Sequence, residues 1–344
     1  MSLPHTFLNA RGMPTAAGGG SETLDFTFTN ASVGTNYIGP SLSQCTTAYS
    51  AAADWSKISS SFSVTSGYQS FNIPYTGNYQ FTLYGGCGGI ASGFNSTFTN
   101  AYFINSYYSA PGAKVMGTYS LTAGDTITIL VGQQGGDDYS TNNAGGAGGT
   151  WVTLGSQSSI VAATDSLLFV AGGGGGYGNY GGTNNYIGGQ GQSTESNSNS
   201  NNGASGSNGN GGSYAGASTN SGAGGGYFTG AASVTTSDWS NSTNYSRGAL
   251  AFRKGGKPGL RSSSNSSRMG GFGGGGNGSH SNSQDNDKGG GGGYGGGSHA
   301  FDAYKFGNGG GSFSHASATA VSKTTGGALN SSGSSDGLVK ILKV

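Results

Sequence analysis

Between Leu167 and Gly311 the chain returns to glycine runs: Gly172–Gly176, Gly224–Gly226, Gly273–Gly276, Gly289–Gly293, Gly295–Gly297 and Gly309–Gly311. Ordering a backbone costs roughly 1–2 kcal/mol per residue, glycine loses the most, and it brings no side chain to bury in return. Such runs are therefore either flexible linkers or packed in a way that only glycine permits. The second option is a bundle of extended threefold helices of the polyproline II type. Their N–H and C=O groups point outward and can bond laterally to neighbours, while any Cβ would push the neighbours apart. A linker needs one glycine tract. This chain makes several, spaced by enough residues to turn back, so the pattern favours an ordered bundle.

Composition bounds the rest. Of 344 residues, 73 are Gly and only 6 are Pro, without a strict triplet period, which argues against collagen. A net charge of +1 with 8% charged residues lacks the excess cation of a dedicated nucleic-acid binder, so no nucleic acid is expected as a partner. The 11% aromatic content argues against simple disorder. No apolar run approaches the ~20 residues that span a bilayer, so no membrane insertion is expected. The start, Met1-Ser-Leu-Pro-His-Thr-Phe7, lacks the basic and apolar regions of a signal peptide. An extracellular-looking composition without a visible export signal fits a protein released by lysis, as virion components are, or one whose leader precedes the numbering. Cys45 and Cys87 are either one disulfide or two free thiols.

Residues 1–20 end in Ala16-Ala17-Gly18-Gly19-Gly20 and read as an attachment arm plus linker. Leu24–Thr29 and Gly77–Leu83 alternate strictly, the mark of half-buried strands. Further strands are expected at Phe62–Val64, Tyr68–Ile73, Lys114–Ser120, Thr126–Val131, Thr150–Leu154, Leu167–Val170 and Gly337–Val344. The short Ala123-Gly124-Asp125 turn predicts a hairpin between Lys114–Ser120 and Thr126–Val131. Asn30–Ala53 is turn-rich, and no stretch shows a helical period with caps, so almost no α-helix is expected. The strands cluster in the first half with one at the far C-terminus. A single antiparallel sandwich forms only if that last strand returns to the first half. The expected organisation is an arm (1–20), a β-sandwich (21–171), a glycine-rich bundle with Tyr/Asn/Ser loops (172–311), and a return loop with the final sandwich strand (312–344).

An ordered string of motifs carries a resemblance over roughly residues 70–344. It runs through Tyr79-Gln-Phe-Thr-Leu83, Leu121-Thr-Ala-Gly-Asp125, Ile129-Leu-Val-Gly-Gln-Gln-Gly135, Gly145-Gly-Ala-Gly-Gly-Thr-Trp-Val152, and Leu168-Phe-Val-Ala171 before five glycines. It continues through Asn208–Gly211, Gly270-Gly-Phe-Gly273 and Gly289–Gly293 before Tyr294. This resembles the glycine-rich extracellular domain of the anaplastic lymphoma kinase and leukocyte tyrosine kinase receptors, and related domains of bacterial, phage and giant-virus proteins. The resemblance implies a jelly-roll-like antiparallel sandwich with an inserted polyglycine II bundle. It does not carry receptor signalling, because this chain has no kinase domain or membrane helix. The Leu3–Phe7 start also resembles short N-termini of phage tail and fibre proteins, some of whose adhesins display loops on such bundles.

Enzymatic and cofactor chemistry finds little footing. Ala171–Tyr177 superficially matches a dinucleotide fingerprint, but Gly-Asn-Tyr-Gly-Gly-Thr-Asn-Asn follows, which cannot start the required helix. Lys257 is followed by Pro258 where a phosphate loop needs a hydroxyl. His5, His280, His299 and His315 are scattered and read as solvated loop residues. Asp137-Asp138 and Asp285-Asn286-Asp287 complete no calcium loop. Neither enzyme activity, metal nor cofactor is expected.

Two features point to binding. Arg247, Arg253, Lys254, Lys257, Arg261 and Arg268 form an acid-free basic stretch, suited to an anionic glycan or, equally, to capping carbonyl ends of glycine strands. The loops also carry aromatics beside Ser, Gly and Asn, the mixture from which antibody loops build contact area. Tyr107, Tyr108, Tyr180, Tyr186, Trp239 and Tyr245 are the recognition candidates; Phe272 and Tyr294, beside glycine runs, are expected to pack over the bundle. The leading expectation is a virion-surface or extracellular adhesin of the tail-fibre, receptor-binding type. Its partners would be a host surface glycan or outer-membrane protein, its own virion or fibre proteins through residues 1–20, and further copies of itself. The alternative is a structural protein, a capsid decoration or filament subunit.

Overall fold

A computed structural model describes residues 22–33, 38–90, 110–137, 143–176, 189–196, 205–213, 222–231, 248–260, 268–278, 288–300, 306–327 and 335–344. Among them two antiparallel sheets face each other. The first is ordered β1 (Asp25–Phe28), β11 (Leu338–Lys343), β4 (Gly77–Tyr84), β5 (Lys114–Leu121), β10 (Thr319–Thr324). The second is ordered β2 (Ser63–Thr65), β3 (Tyr68–Asn72), β6 (Thr126–Leu130), β7 (Thr150–Leu154), β8 (Ser166–Ala171), β9 (Phe313–Ser314). The fold is an all-β sandwich, and the C-terminal strand does return: β11 lies between β1 and β4, with Phe26 opposite Ile341 and Ile341 opposite Phe81.

The two sheets are buried differently, and the sequence shows why. In β4, Tyr79, Phe81 and Leu83 point into the core while Asn78, Gln80 and Thr82 face outward. The strands β6, β7 and β8 are buried almost throughout. Ile127, Ile129, Val152, Leu168 and Phe169 join the inter-sheet core, whereas Leu130, Trp151, Leu167 and Val170 pack on the opposite face against Tyr227, Phe252 and Phe272. A sheet covered on both faces reads as a continuous apolar run instead of an alternation.

One expectation is corrected, one is refined and one open alternative is decided. The Lys114–Val131 stretch is not a hairpin: β5 pairs with β4 and β10, while β6 pairs with β3 and β7 in the other sheet. The turn is a corner between sheets, held by Ile73, whose N–H donates to Asp125 O and whose carbonyl accepts from Gly124 N–H. Helix is scarce but includes a capped one, α1 (Leu42–Tyr49), beside the shorter α2 (Trp55–Ile58) and α3 (Gln157–Ala162). Ser41 and Gln44 form a reciprocal capping box at its start, and Cys45 and Tyr49 place its inner face in the sandwich core. Finally, Cys45 and Cys87 are separate, buried free thiols. Cys45 sits on α1 in the sandwich and Cys87 among glycine strands. Burial pushes both thiols up to about 12.

The glycine block is not confined to residues 172–311. Segments 85–90, 110–113, 131–137 and 143–149, within the stretch read as sandwich, run on from β4, β5, β6 and β7 and belong to it. Residues 289–294 lie at its centre. Their N–H groups donate in strict rotation to three neighbours: Gly289 and Gly292 to Ala144 and Ala147, Gly290 and Gly293 to Gly222 and Gly225, Gly291 and Tyr294 to Asn308 and Gly311. The same step of three recurs at Gly85 and Gly88 (to Ala113 and Ala110) and at Gly173 and Gly176 (to Gly292 and Gly289). Glycine is obligatory here for a steric reason. A Cβ on Gly88, Gly148 or Gly175 would stand closer than 3.0 Å to the carbonyl of Gly175, Phe272 or Gly307 respectively.

Candidate functional site

Continuity with the sheets gives the block a near end and a far end. Leaving β4, the chain passes Gly85 and reaches Ile90; Ala110–Ala113 returns to β5, level with it, since Gly88 N–H donates to Ala110 O. Asp137 and Asn143 occupy the corresponding ends of the next pair, and Gly89 N–H donates to Gly145 O. Gly176 ends the run from β8, and its N–H donates to Gly289 O, the start of the central strand. Gly175 N–H donates to Gly189 O, and Lys288 pairs with Ala300. The chain therefore leaves and re-enters the block at its far end, remote from the sandwich, at 90 and 110, 137 and 143, 176 and 189, 278 and 288, and 300 and 306. The anchors are built at that level: Asp137 Oδ1 accepts from Ile90 N–H at 2.9 Å and from Gln134 Nε2 at 3.2 Å.

Of the recognition candidates, Tyr107, Tyr108, Tyr180, Tyr186, Trp239, Tyr245 and Arg261 lie outside the described residues. The first four fall in the stretches bounded by 90 and 110 and by 176 and 189. Arg247, His5, His280, Asp138 and Asp285–Asp287 also lie outside.

Of the described part of the basic stretch, Arg253, Lys254 and Lys257 sit at the near end beside α3, whereas Arg268 lies at the far end, its carbonyl accepting from Gly278 N–H. Phe252–Lys254 forms one 3₁₀ turn closed by Gly255 at φ 108°. Arg253 Nη2 is 2.9 Å from Asp165 Oδ1, and the Asp165 side chain is wholly buried. The same Nη2 donates to Tyr227 Oη at 2.8 Å, and Tyr227 Oη–H donates to Asp165 Oδ2 at 2.6 Å. The guanidinium lies 4.5 Å from the Tyr227 ring centroid and 5.2 Å from that of Phe228. Burial, then the Asp165 contact, raises the Tyr227 phenol above its ordinary value, so it remains a donor. Arg253 therefore neutralises a carboxylate from a distant part of the chain, which neither reading of the basic stretch anticipated; nothing in the sequence marks Asp165 as its partner. Lys254 is exposed, Lys257 is half-buried, and Arg268 is buried.

Behind this cluster runs an aromatic stack, Trp151 on Phe252 at 4.6 Å, Tyr227 on Tyr294 at 6.3 Å and Tyr294 on Phe313 at 4.7 Å. Tyr68 Oη–H donates to Phe252 O. Phe272 and Tyr294, expected to pack over the bundle, lie instead in the cluster with Leu130, Trp151 and Val170 on the outer face of the second sheet. One aromatic breaks the pattern, Phe228, which is 48% exposed. His299 is corrected from solvated loop to buried, and burial lowers it to about 4. His315 Nδ1 accepts from Ser317 N–H at 3.1 Å. Among the described residues no group of three or more metal-ligating side chains converges, and no helix is long and apolar enough to cross a membrane.

The fold and these anchors define a β-sandwich whose strands continue into a laterally bonded glycine block. No family model matches the chain.

Proposed function

We propose that the protein is a non-enzymatic adhesin of a virion or cell surface, in which the sandwich is the base and the glycine block a rigid mast for loops at its far end. The observation that carries this reading is the common level at which the chain leaves and re-enters the block, with Tyr107, Tyr108, Tyr180 and Tyr186 between those points. The period-three rotation of donors supports a polyglycine II type of packing, since a threefold helix turns each successive N–H toward a different neighbour. Its stiffness follows from energetics. A buried amide left unpaired costs about 1–3 kcal/mol, so no segment can move without orphaning groups on three others. A rigid base lets loops of Tyr, Ser and Asn bind with little further loss of entropy. The partner class is a host surface glycan or outer-membrane protein, with residues 1–20 attaching the chain to its own particle.

The test is exchange of residues 177–186 for an unrelated polar loop, together with the double substitution Tyr107→Ala and Tyr108→Ala, read as binding to host cells. Loss of binding with unchanged amide protection of the block supports the reading. Undiminished binding in both variants refutes far-end recognition. Deletion of residues 1–20 separates the roles: an adhesin loses particle attachment but still binds cells, whereas a filament subunit fails to polymerise.

A further inference from the structure

We infer that Phe228 and its rim form a second, near-end subsite for an uncharged saccharide. The inference deepens the adhesin reading by naming a ligand class, and rests on it. Phe228 sits on the turn Gly226–Thr229, where Gly226 N–H donates to Thr229 O at 2.9 Å and Phe228 N–H to Gly209 O at 2.7 Å. The ring is fixed from several sides. Tyr227 meets it at 4.7 Å and 66°, the Arg253 guanidinium lies 5.2 Å from its centroid, and Gly209 backs it so closely that a Cβ there would strike the ring. Among the described aromatics Phe228 alone is exposed, although its ring is held in place on several sides.

The rim decides the ligand. Asn208, Asn210 and Thr229 are exposed around the ring, and Thr229 Oγ1 lies 3.4 Å from Asn210 Oδ1. Amides and hydroxyls bond sugar hydroxyls, while the ring takes the apolar C–H side of a pyranose. The charge balance argues against an acidic ligand, because the cation at the ring is already committed to buried Asp165. A protein partner would need roughly 800 Å² from each side with an apolar centre. Here one ring stands among small polar groups.

Saturation-transfer NMR on the full chain with gluco-, galacto- and manno-oligosaccharides tests the subsite. The expected result is transfer to ring C–H protons of at least one sugar, at least tenfold weaker affinity in Phe228→Ala, retention in Phe228→Tyr, and indifference to Lys254→Gln and to high salt. Three results would overturn it: no transfer to any of the sugars, transfer unchanged in Phe228→Ala, or binding confined to dextran sulfate and lost in high salt or in Lys254→Gln. Phe228 is a surface residue, so the variant is expected to fold, and unchanged amide protection checks this. Host-cell binding by a native chain that shows no transfer to any of the sugars would sink the subsite alone. A native chain that binds no host cells would sink the adhesin reading instead.

Discussion

The sandwich and the glycine block are held together by opposite means. In the sandwich, Phe26, Phe28, Phe71, Phe81 and Phe169 are buried to within 2% or less of complete exclusion from solvent, and cohesion comes from apolar area removed from water. In the block the neighbours of a glycine are other backbones, and cohesion comes from N–H groups shared laterally in steps of three. The first region fails when atoms are removed, the second when atoms are added. A mutational scan that recorded only loss of side chain would see one half of this molecule.

The largest effect is therefore expected from adding a single methyl group. In Gly148→Ala the new Cβ would stand closer than 3.0 Å to Phe272 O and to Gly273 Cα, both backbone, with no flexible side chain to swing aside. Loss of more than about 4 kcal/mol is expected, the range reserved for a broken core or network. Hydrogen exchange should report fast amides through residues 289–294 while β4 and β11 stay protected. Uniform protection in the variant would show that the block tolerates side chains and is not close-packed.

Removing atoms from the sandwich comes next. Phe81 is fully buried, and its ring centroid lies 5.4 Å from that of Phe169 across the two sheets, the rings tilted by 36°. Phe81→Ala should cost about 3–5 kcal/mol in a chemical denaturation midpoint. Its exchange pattern should be the converse of that of Gly148→Ala, with sheet amides freed first. If both variants lose protection everywhere together, the two regions form one cooperative unit and the contrast between them is only chemical.

Much of this architecture was legible in the sequence because its signals are local. Strict alternation marks Gly77–Leu83, and the apolar run marks Leu167–Val170, so strand positions follow from side-chain period. The glycine runs reveal their own packing logic. What stayed hidden was tertiary. A short turn at Ala123–Asp125 suits a hairpin as well as a corner, and only the contact with Ile73, far earlier in the chain, decides between them. The edge strand β10 is exposed at nearly every residue and so carries no alternation to read. The capping box Ser41–Gln44 was present in the letters but masked by surrounding turn residues. At the near-end site, Arg253 was visible as a cation, yet Asp165 lies 88 positions away and only the fold joins them.

The two cysteines report on the two regions separately. At pH 8 the folded chain should resist iodoacetamide at both Cys45 and Cys87, and both should react in urea without reductant, because neither is in a disulfide. In Gly148→Ala, Cys87 should become reactive while Cys45 stays protected. The same thiols shape the alkaline limit. Their ordinary value is 9.0 and the folded value is about 12, the higher of the two. The stability tied to them is thus fully present below pH 9.0 and is lost as pH rises through about 12. Buried Tyr49 and Tyr227, also raised, act in the same direction. A thermal midpoint that falls across this range, less steeply in Cys45→Ala and Cys87→Ala, is the expected outcome; a flat profile would mean the thiols reach solvent.

The smallest effect belongs to a glycine outside the block. Gly124, in the corner between sheets, has φ 94° and no atom within 4 Å of the position a Cβ would take. Its requirement is conformational alone, and Gly124→Ala should cost about 1–2 kcal/mol, the penalty of a left-handed backbone for an L-residue. Gly148 has no positive φ and is constrained by its neighbours alone. The pair separates the two reasons a chain keeps glycine. Asparagine, which tolerates the left-handed region, should recover part of the loss at 124 and none at 148. Equal rescue at both positions would mean that the block selects glycine for its backbone freedom, and the steric account of its packing would fall.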